Sequence, residues 1–146
     1  MEQLHKALKI AFASEFSFYL KAHNFHWNVT GPFFSQLHDL FGKIYEEVYG
    51  SIDQFAEEIR AMDAYAPASF ARFSELTSIE DEIKILSAQG MLEKLLADND
   101  IVISSVEQAY ELAEAAHNHG LSNFLAERLD AHGKHGWQLR ATLKQR

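Results

Sequence analysis

The regular spacing of apolar residues, in stretches with little proline or glycine, most constrains how this chain can fold. Residues 3–28 contain neither breaker, and their apolar residues recur every three or four positions, as on one face of an amphipathic helix. Gly31-Pro32 follows, and a proline disfavours helix at the residue before it while tolerating the start of a new helix. We therefore predict a long helix that ends in a tight turn and leads into a second helix.

The same periodicity predicts three more long helices, which cover residues 33–63, 88–118 and 121–143. The segment 64–82 mixes a proline with small residues and has helix-capping candidates at Ser74 and Ser78, which predicts a crossover with one short helix. Two helical hairpins joined by one crossover, between the second and third long helices, predict an all-α fold, a ferritin-like four-helix bundle. The length is typical of one compact domain, so we expect a single domain over residues 1–146.

The charge and composition argue against DNA binding, secretion and membrane contact. The chain has 13 basic and 21 acidic residues and a formal net charge of -8, so its average field repels nucleic acid phosphates and favours cations. We therefore do not expect DNA binding. The chain has no cysteine, no secretion signal behind Met1 and no apolar run of about 18 residues, which predicts a cytoplasmic protein without membrane contact.

Four histidine and carboxylate side chains are the candidate metal ligands. In the stretch HNFHWNVTGPFFSQLH, His26 lies about six residues before the turn and His38 about six after it, so neighbouring antiparallel helices place them at similar heights. Asp53 and Glu57 are four residues apart on the second helix, so their carboxylates share one face. Such a mixed set suits ferrous iron, although the ligand types alone leave manganese or zinc open.

These four side chains cannot meet on one ion within a single chain. Asp53 is 15 residues beyond His38, which places it roughly 22 Å further along the same helix. His38, Asp53 and Glu57 fall in one arc of roughly 100°, about 130° away from the apolar stripe of that helix. We therefore expect two metal sites shared across a two-fold interface, with Asp53 and Glu57 of a second copy opposite His26 and His38. The arc also holds small and amphipathic residues that suit close contact between copies: Gly42, Tyr45, Tyr49 and Ala56.

The stretch HNFHWNVTGPFFSQLHDL, followed by IDQFAEE, resembles the signature of the Dps miniferritins, the DNA-protecting proteins of starved cells. The resemblance covers essentially the whole chain, including RFSELTSIEDE and KHGWQLRATL. It implies a hollow homo-dodecamer with ferroxidase sites at two-fold interfaces, where His26 and His38 of one subunit and Asp53 and Glu57 of its mate bind ferrous iron. It also implies that hydrogen peroxide is the preferred oxidant, and that iron is stored as ferric mineral.

Three features refine what the resemblance implies. Trp27 resembles the family tryptophan that takes up an oxidising equivalent, although its residue type fits the core equally well. Gly42 stands where many relatives carry an acidic residue, so a second iron is expected to bind weakly or through water. The family's DNA-binding members often use lysine-rich tails, whereas the helix pattern here begins almost at Met1. The alternative function is a DNA-compacting or structural Dps-like shell with little iron chemistry.

The remaining histidines receive simpler interpretations. His23 lies about one helical turn from His26, and we expect it at the surface, with a supporting role beside the metal site as the alternative. Four histidines lie near Gly120, Gly133 and Gly136, and we expect them to be solvated or at an interface rather than to bind metal. These four are His117, His119, His132 and His135.

Overall fold

The structure is a computed structural model that describes residues 1–144, and every regular element in that range is a helix. The helices are α1 (Glu2–Asn28), α2 (Phe34–Ala61), α3 (Phe70–Leu76), α4 (Ala88–Ala115) and α5 (His119–Leu143). This order confirms the all-α, ferritin-like bundle of four long helices, with the short α3 in the crossover between α2 and α4. None of these helices is long and apolar enough to cross a membrane.

The tight turn between α1 and α2 lies where Gly31-Pro32 predicts it. Helix α1 ends at Asn28, and the next residue, Val29, has an extended backbone. Gly31 has a φ of 119°, a conformation that residues with side chains rarely adopt. Helix α2 then begins at Phe34 and runs back along α1, so the end of the first helix lies beside the start of the second.

The short helix in the crossover starts earlier than its sequence signals suggest. Its cap is Ser69, which has an extended backbone and whose hydroxyl accepts a hydrogen bond from the Arg72 N–H at 3.2 Å. The two candidate caps lie elsewhere, because Ser74 is inside α3 and Ser78 is beyond its end. Several serines of this segment compete for the same role, and only the backbone conformation decides between them.

The junction between α4 and α5 also differs from the prediction. Helix α4 ends at Ala115 rather than at residue 118, and His117 follows with a φ of 56°. Helix α5 begins at His119 rather than at residue 121, because the Asn118 side chain caps it by accepting a hydrogen bond from the Leu121 N–H at 3.2 Å. His117 and His119 are both exposed.

Helix α1 lies at the centre of the helix packing, since it contacts α2, α3 and α4. Helix α4 also packs against α5. One apolar core runs between the helices, and its largest fully buried side chains include Phe18, Phe25, Phe41 and Phe55. Burying a side chain of this size stabilises the fold by about 1.5–3 kcal/mol. Helices α2 and α5 make few close backbone contacts, so long side chains must fill the space between them.

Charged side chains occupy that space between α2 and α5. Arg128 is only 4% exposed, and its Nε donates to Glu15 at 2.8 Å while its two terminal nitrogens donate to Glu47 at 2.6 and 3.1 Å. Burial would raise the pKa of both carboxyl groups, but ion pairing outweighs it. His132 and Arg128 lower the pKa of Glu15, and hydrogen bonds from His135 and Arg128 lower the pKa of Glu47 to about 2. Both carboxylates are therefore charged at neutral pH.

The expectation that His132 and His135 are solvated or at an interface is wrong. They are 0% and 7% exposed, and both belong to the buried charge network. His135 Nε2–H donates to Glu47 at 2.8 Å, and His132 Nε2–H donates to Glu15. His132 Nδ1 lies 2.8 Å from the side-chain oxygen of Asn99, so Asn99 and Glu15 together hold the two ring nitrogens in place.

Candidate metal centre

His26 and His38 meet close to the turn that joins the two helices of the first hairpin. His26 lies in the last turn of α1 and His38 in the second turn of α2, with ring centroids 3.7 Å apart and planes inclined by 19°. The two residues exchange hydrogen bonds, because each Nδ1–H donates to the backbone carbonyl of the other at 2.6 Å. A carbonyl only accepts, so each Nδ1 carries the hydrogen and Nε2 is the ring nitrogen left for a metal. Two imidazoles are thus oriented in the tautomer that binds a metal through Nε2.

Gly42 makes this arrangement possible. A Cβ atom at this position would lie 3.0 Å from His26 Nδ1 and 3.1 Å from Cε1, which is closer than side chains normally approach. Gly42 is therefore buried beneath the His26 ring. The expectation that this glycine lets a second copy approach closely is wrong, because its open side faces a histidine of its own chain.

The two candidate carboxylates lie apart from this histidine pair. Asp53 and Glu57 are exposed residues of α2, further along the same helix. Across residues 1–144, no three histidine, aspartate or glutamate side chains come together in a way that could hold a metal ion. A single chain therefore contains both halves of the predicted ligand set, the histidines and the carboxylates, but holds them at separate places on its surface.

His23 lies inside an aromatic cluster rather than free at the surface. Its ring stacks on Tyr45 with centroids 3.8 Å apart and planes inclined by only 8°, and its other neighbour is Trp27 at 3.7 Å. The Tyr19 hydroxyl is hydrogen-bonded to His23 Nδ1 at 3.0 Å. Tyr49 completes the group, which we call the aromatic cluster, with its ring 4.9 Å from that of Tyr19. Burial and the nearby His26 lower the pKa of His23, and burial with the neighbouring tyrosines raises the pKa of Tyr19.

The aromatic cluster touches the histidine pair directly. Tyr45 lies between the two groups, with its ring centroid 5.2 Å from that of His26. Trp27 is 60% exposed, so the interpretation of this residue as a core side chain is wrong for the single chain. The sequence carries a signal for the cluster that residue types alone did not reveal, because Tyr19, His23 and Trp27 follow one another at four-residue spacing on one face of α1.

A four-helix bundle with one long crossover and a paired histidine site at the end of its first hairpin defines the ferritin-like class of proteins. The family model described as "Ferritin-like domain" matches residues 5–146 of this chain. DNA protection during starvation protein 2 of Bacillus anthracis is 33% identical over 127 residues, which cover 87% of each chain.

Solved structures give the same result. Dps from Thermosynechococcus elongatus superposes with a TM-score of 0.95 at 28% identity, covering 99% of this chain and 92% of that one. The Dps protein from Vibrio cholerae O1, described as a member of a broad superfamily of ferritin-like diiron-carboxylate proteins, has a TM-score of 0.93 at 26% identity and covers 98% and 90%. The chain belongs to the Dps miniferritins, which confirms the resemblance of its sequence. Membership of this family indicates iron binding and a protective role.

Proposed function

We propose that this protein is a ferroxidase and iron-storage protein that works as a hollow dodecamer in the cytoplasm. Ferrous iron binds between two copies of the chain, hydrogen peroxide oxidises it, and the ferric product is stored as mineral inside the shell. Consuming ferrous iron and peroxide together limits oxidative damage. The reciprocal hydrogen bonding of His26 and His38 carries this proposal, because it leaves the Nε2 lone pair of both rings for a metal.

The proposed site takes its ligands from two copies. His26 and His38 of one copy supply nitrogen, and Asp53 and Glu57 of a second copy supply carboxylate oxygen, a mixed set that suits ferrous iron. An isologous two-fold interface repeats the site twice. Large aromatic side chains exposed beside these histidines support such an interface, because clustered apolar surface marks contacts between proteins. Three are 42% to 60% exposed: Trp27, Phe34 and Tyr49.

Each proposed site holds one ferrous ion tightly, and a second iron binds weakly or through water. No side chain fits at Gly42 unless His26 moves, so α2 offers no carboxylate one turn beyond His38 to hold a second iron. Trp27 is the proposed redox-active residue beside the site, since its ring packs against His23 next to His26. In this role it takes up an oxidising equivalent that the one tightly bound iron cannot absorb.

One experiment tests the proposal as a whole. The purified protein is loaded anaerobically with ferrous iron and mixed with hydrogen peroxide, and ferric absorbance is followed on a sample whose mass is read by light scattering. We expect the mass of a dodecamer and prompt oxidation. A monomer that binds iron tightly through the same residues would refute the shared site.

The second candidate is a DNA-compacting or structural shell with little iron chemistry, and the relatives named for DNA protection are the observation that favours it. A dodecamer with only background oxidation would support this alternative. The formal net charge of -8 on each chain opposes it, because a shell built from such chains repels phosphates. A gel shift of DNA by the intact shell at physiological salt would decide for the alternative.

The choice of metal is checked separately, by adding manganese or zinc in competition with ferrous iron and measuring how much iron still binds.

A further inference from the structure

Two carboxylates and two histidines converge in the interior of the bundle, although three different helices supply them. Glu15 lies on α1, Glu47 on α2, and His132 and His135 lie three residues apart on α5. Glu15 and His132 are fully buried, and His135 is 7% exposed. His132 Nε2 is bonded to Glu15, and His135 Nε2 is bonded to Glu47 at 2.8 Å. The interior therefore contains two pairs, each made of one carboxylate and one histidine.

These two pairs have the chemistry of a metal site. Four-helix bundles build their metal sites from carboxylates and histidines that face inward from neighbouring helices. Imidazole nitrogen and carboxylate oxygen together suit divalent transition metals, among them ferrous iron, cobalt and zinc. The proposed iron site near the turn between α1 and α2 uses none of these side chains. The interior pairs are thus a second set of candidate ligands in the same chain.

The side chain of Arg128 lies between the two pairs. Its Nε donates to Glu15 at 2.8 Å, and its terminal nitrogens donate to Glu47 at 2.6 and 3.1 Å, so one guanidinium joins both carboxylates. Burial alone would lower the pKa of Arg128, but the adjacent Glu15 and Glu47 raise that pKa above its usual value. Within residues 1–144, no three potential ligands come close enough together to hold a metal ion. The interior carboxylates therefore surround a guanidinium in place of an ion.

We propose that Arg128 blocks an interior binding site for divalent metal ions and thereby keeps iron out of the bundle. Arginine suits this role because its guanidinium keeps its proton at physiological pH, whereas a buried lysine loses its proton readily. A metal ion therefore cannot enter by displacing a proton from the blocking group. The inference goes beyond the proposed function and does not depend on it, since the two concern different side chains.

Glu47 provides the opening from this site to solvent. Its side chain is 38% exposed, whereas the side chains of Glu15, Arg128 and His132 are at most 5% exposed. If the guanidinium were absent, both carboxylates would face a polar space that water or a cation can fill. An ion from solution would reach this space past Glu47. The structure thus contains both the ligands and an entrance, and Arg128 stands between them.

The test counts the Co²⁺ ions that Arg128→Ala binds, because the visible absorption of Co²⁺ reports on nitrogen and oxygen ligands. The full-length protein is dialysed to equilibrium against Co²⁺ at neutral pH without peroxide. We expect one more ion per chain in Arg128→Ala than in the unmodified protein. Lys134→Ala is the matched control, since Lys134 lies on the same helix in an exposed pair with Asp130, and it should bind no additional ion. Each protein is also prepared with His38→Ala, so that ions at the proposed iron site do not enter the count.

A double variant checks that the additional ion lies between the interior pairs. Arg128→Ala combined with Glu47→Gln should lose the additional ion and the absorption that comes with it. Because Arg128→Ala is expected to be less stable, urea unfolding is followed with and without Co²⁺. A ligand that binds only the folded state stabilises it, so Co²⁺ should raise the urea midpoint of Arg128→Ala but not that of the double variant.

Three outcomes would overturn the inference. The first is a folded Arg128→Ala that binds no additional ion, and the second is an additional ion that persists unchanged with Glu47→Gln. The third is an Arg128→Ala that stays unfolded at saturating Co²⁺, because the ion then cannot take the place of the guanidinium. Failure of the unmodified protein to oxidise iron would refute the proposed function alone, since the count with His38→Ala does not depend on that site.

Discussion

Gly42 determines where the His26 ring lies, and substituting alanine for this glycine tests that role. In Gly42→Ala the added Cβ would lie 3.0 Å from His26 Nδ1, so the ring must move away from its bond to the His38 carbonyl. Alanine favours a helix by about 1 kcal/mol over glycine, and this gain offsets part of the loss. We expect weaker ferrous binding in an anaerobic titration, and no net gain in the free energy of unfolding measured with urea.

The control for this change is Gly133→Ala on α5, where an added Cβ has no neighbour within 4 Å. It should raise the free energy of unfolding by up to about 1 kcal/mol and leave ferrous binding unchanged. If the two variants showed the same ferrous binding and the same change in the free energy of unfolding, Gly42 would not determine the position of His26.

The exposed carboxylates of α2 are the second test at the residue scale. Asp53→Asn and Glu57→Gln keep the size of each side chain but remove the charge, and amide ligands bind a hard cation less well than carboxylates. We expect each variant to lose rapid iron oxidation while it remains assembled, as followed by ferric absorbance and light scattering. Asp39→Asn serves as the control, because this carboxylate on the same helix is exposed and pairs with Lys43 at 3.1 Å. Loss of oxidation in the control would argue for a general charge effect instead.

At the scale of elements, Arg128 holds α1, α2 and α5 together. Replacing it in Arg128→Met leaves Glu15 fully buried without its guanidinium partner, with only His132 still bonded to it. Removing one member of a buried ion pair costs roughly 3–5 kcal/mol, which urea unfolding at fixed protein concentration measures directly. Lys134→Met, on the same helix, breaks an exposed pair with Asp130 and should cost about 0–1 kcal/mol. Similar losses for the two variants would mean that the buried network adds nothing beyond a surface pair.

The same network predicts that acid destabilises the protein. The folded-state pKa of Glu47 is lowered from 4.5 to about 2, and that of Glu15 is also lowered. A carboxyl group whose pKa is lowered by folding stabilises the folded state at pH values above its pKa in the unfolded state. This stabilisation is lost as the pH falls towards its pKa in the folded state. We expect the urea midpoint to fall between about pH 4.5 and about pH 2, with a shallower slope in Glu47→Gln. An unchanged slope in that variant would contradict the assigned pKa of Glu47.

The helices could be predicted from the sequence because their signals are local. Apolar spacing and the Gly31-Pro32 turn each involve neighbouring residues, and the 12-residue separation of His26 and His38 across that turn is nearly as local. The buried network could not be predicted, because Glu15 and Arg128 are 113 positions apart and no periodicity connects them. The short α3 was misplaced for a related reason, since equivalent serines differ only in backbone conformation.

At the scale of the whole molecule, the proposed shared site predicts complementation between two inactive variants. In His38→Ala one half of the site is missing, and in Asp53→Ala the other half is missing. A mixed dimer has one doubly defective site and one intact site. Shells disassembled and reassembled from equal amounts should regain about a quarter of the sites. Ferric absorbance measures the recovery, and light scattering with differently tagged chains verifies the mixing. No recovery after verified mixing would place all ligands within one chain.

The guanidinium of Arg128 gives the bundle a cation that is part of the chain. Many small metal-binding domains fold only when the ion arrives, because the free energy of metal binding supplies the free energy of folding. Here Glu15 and Glu47 are neutralised during folding by residues of the same polypeptide. The chain can therefore fold without a bound metal ion, and the proposed shell could be assembled in advance while iron is scarce.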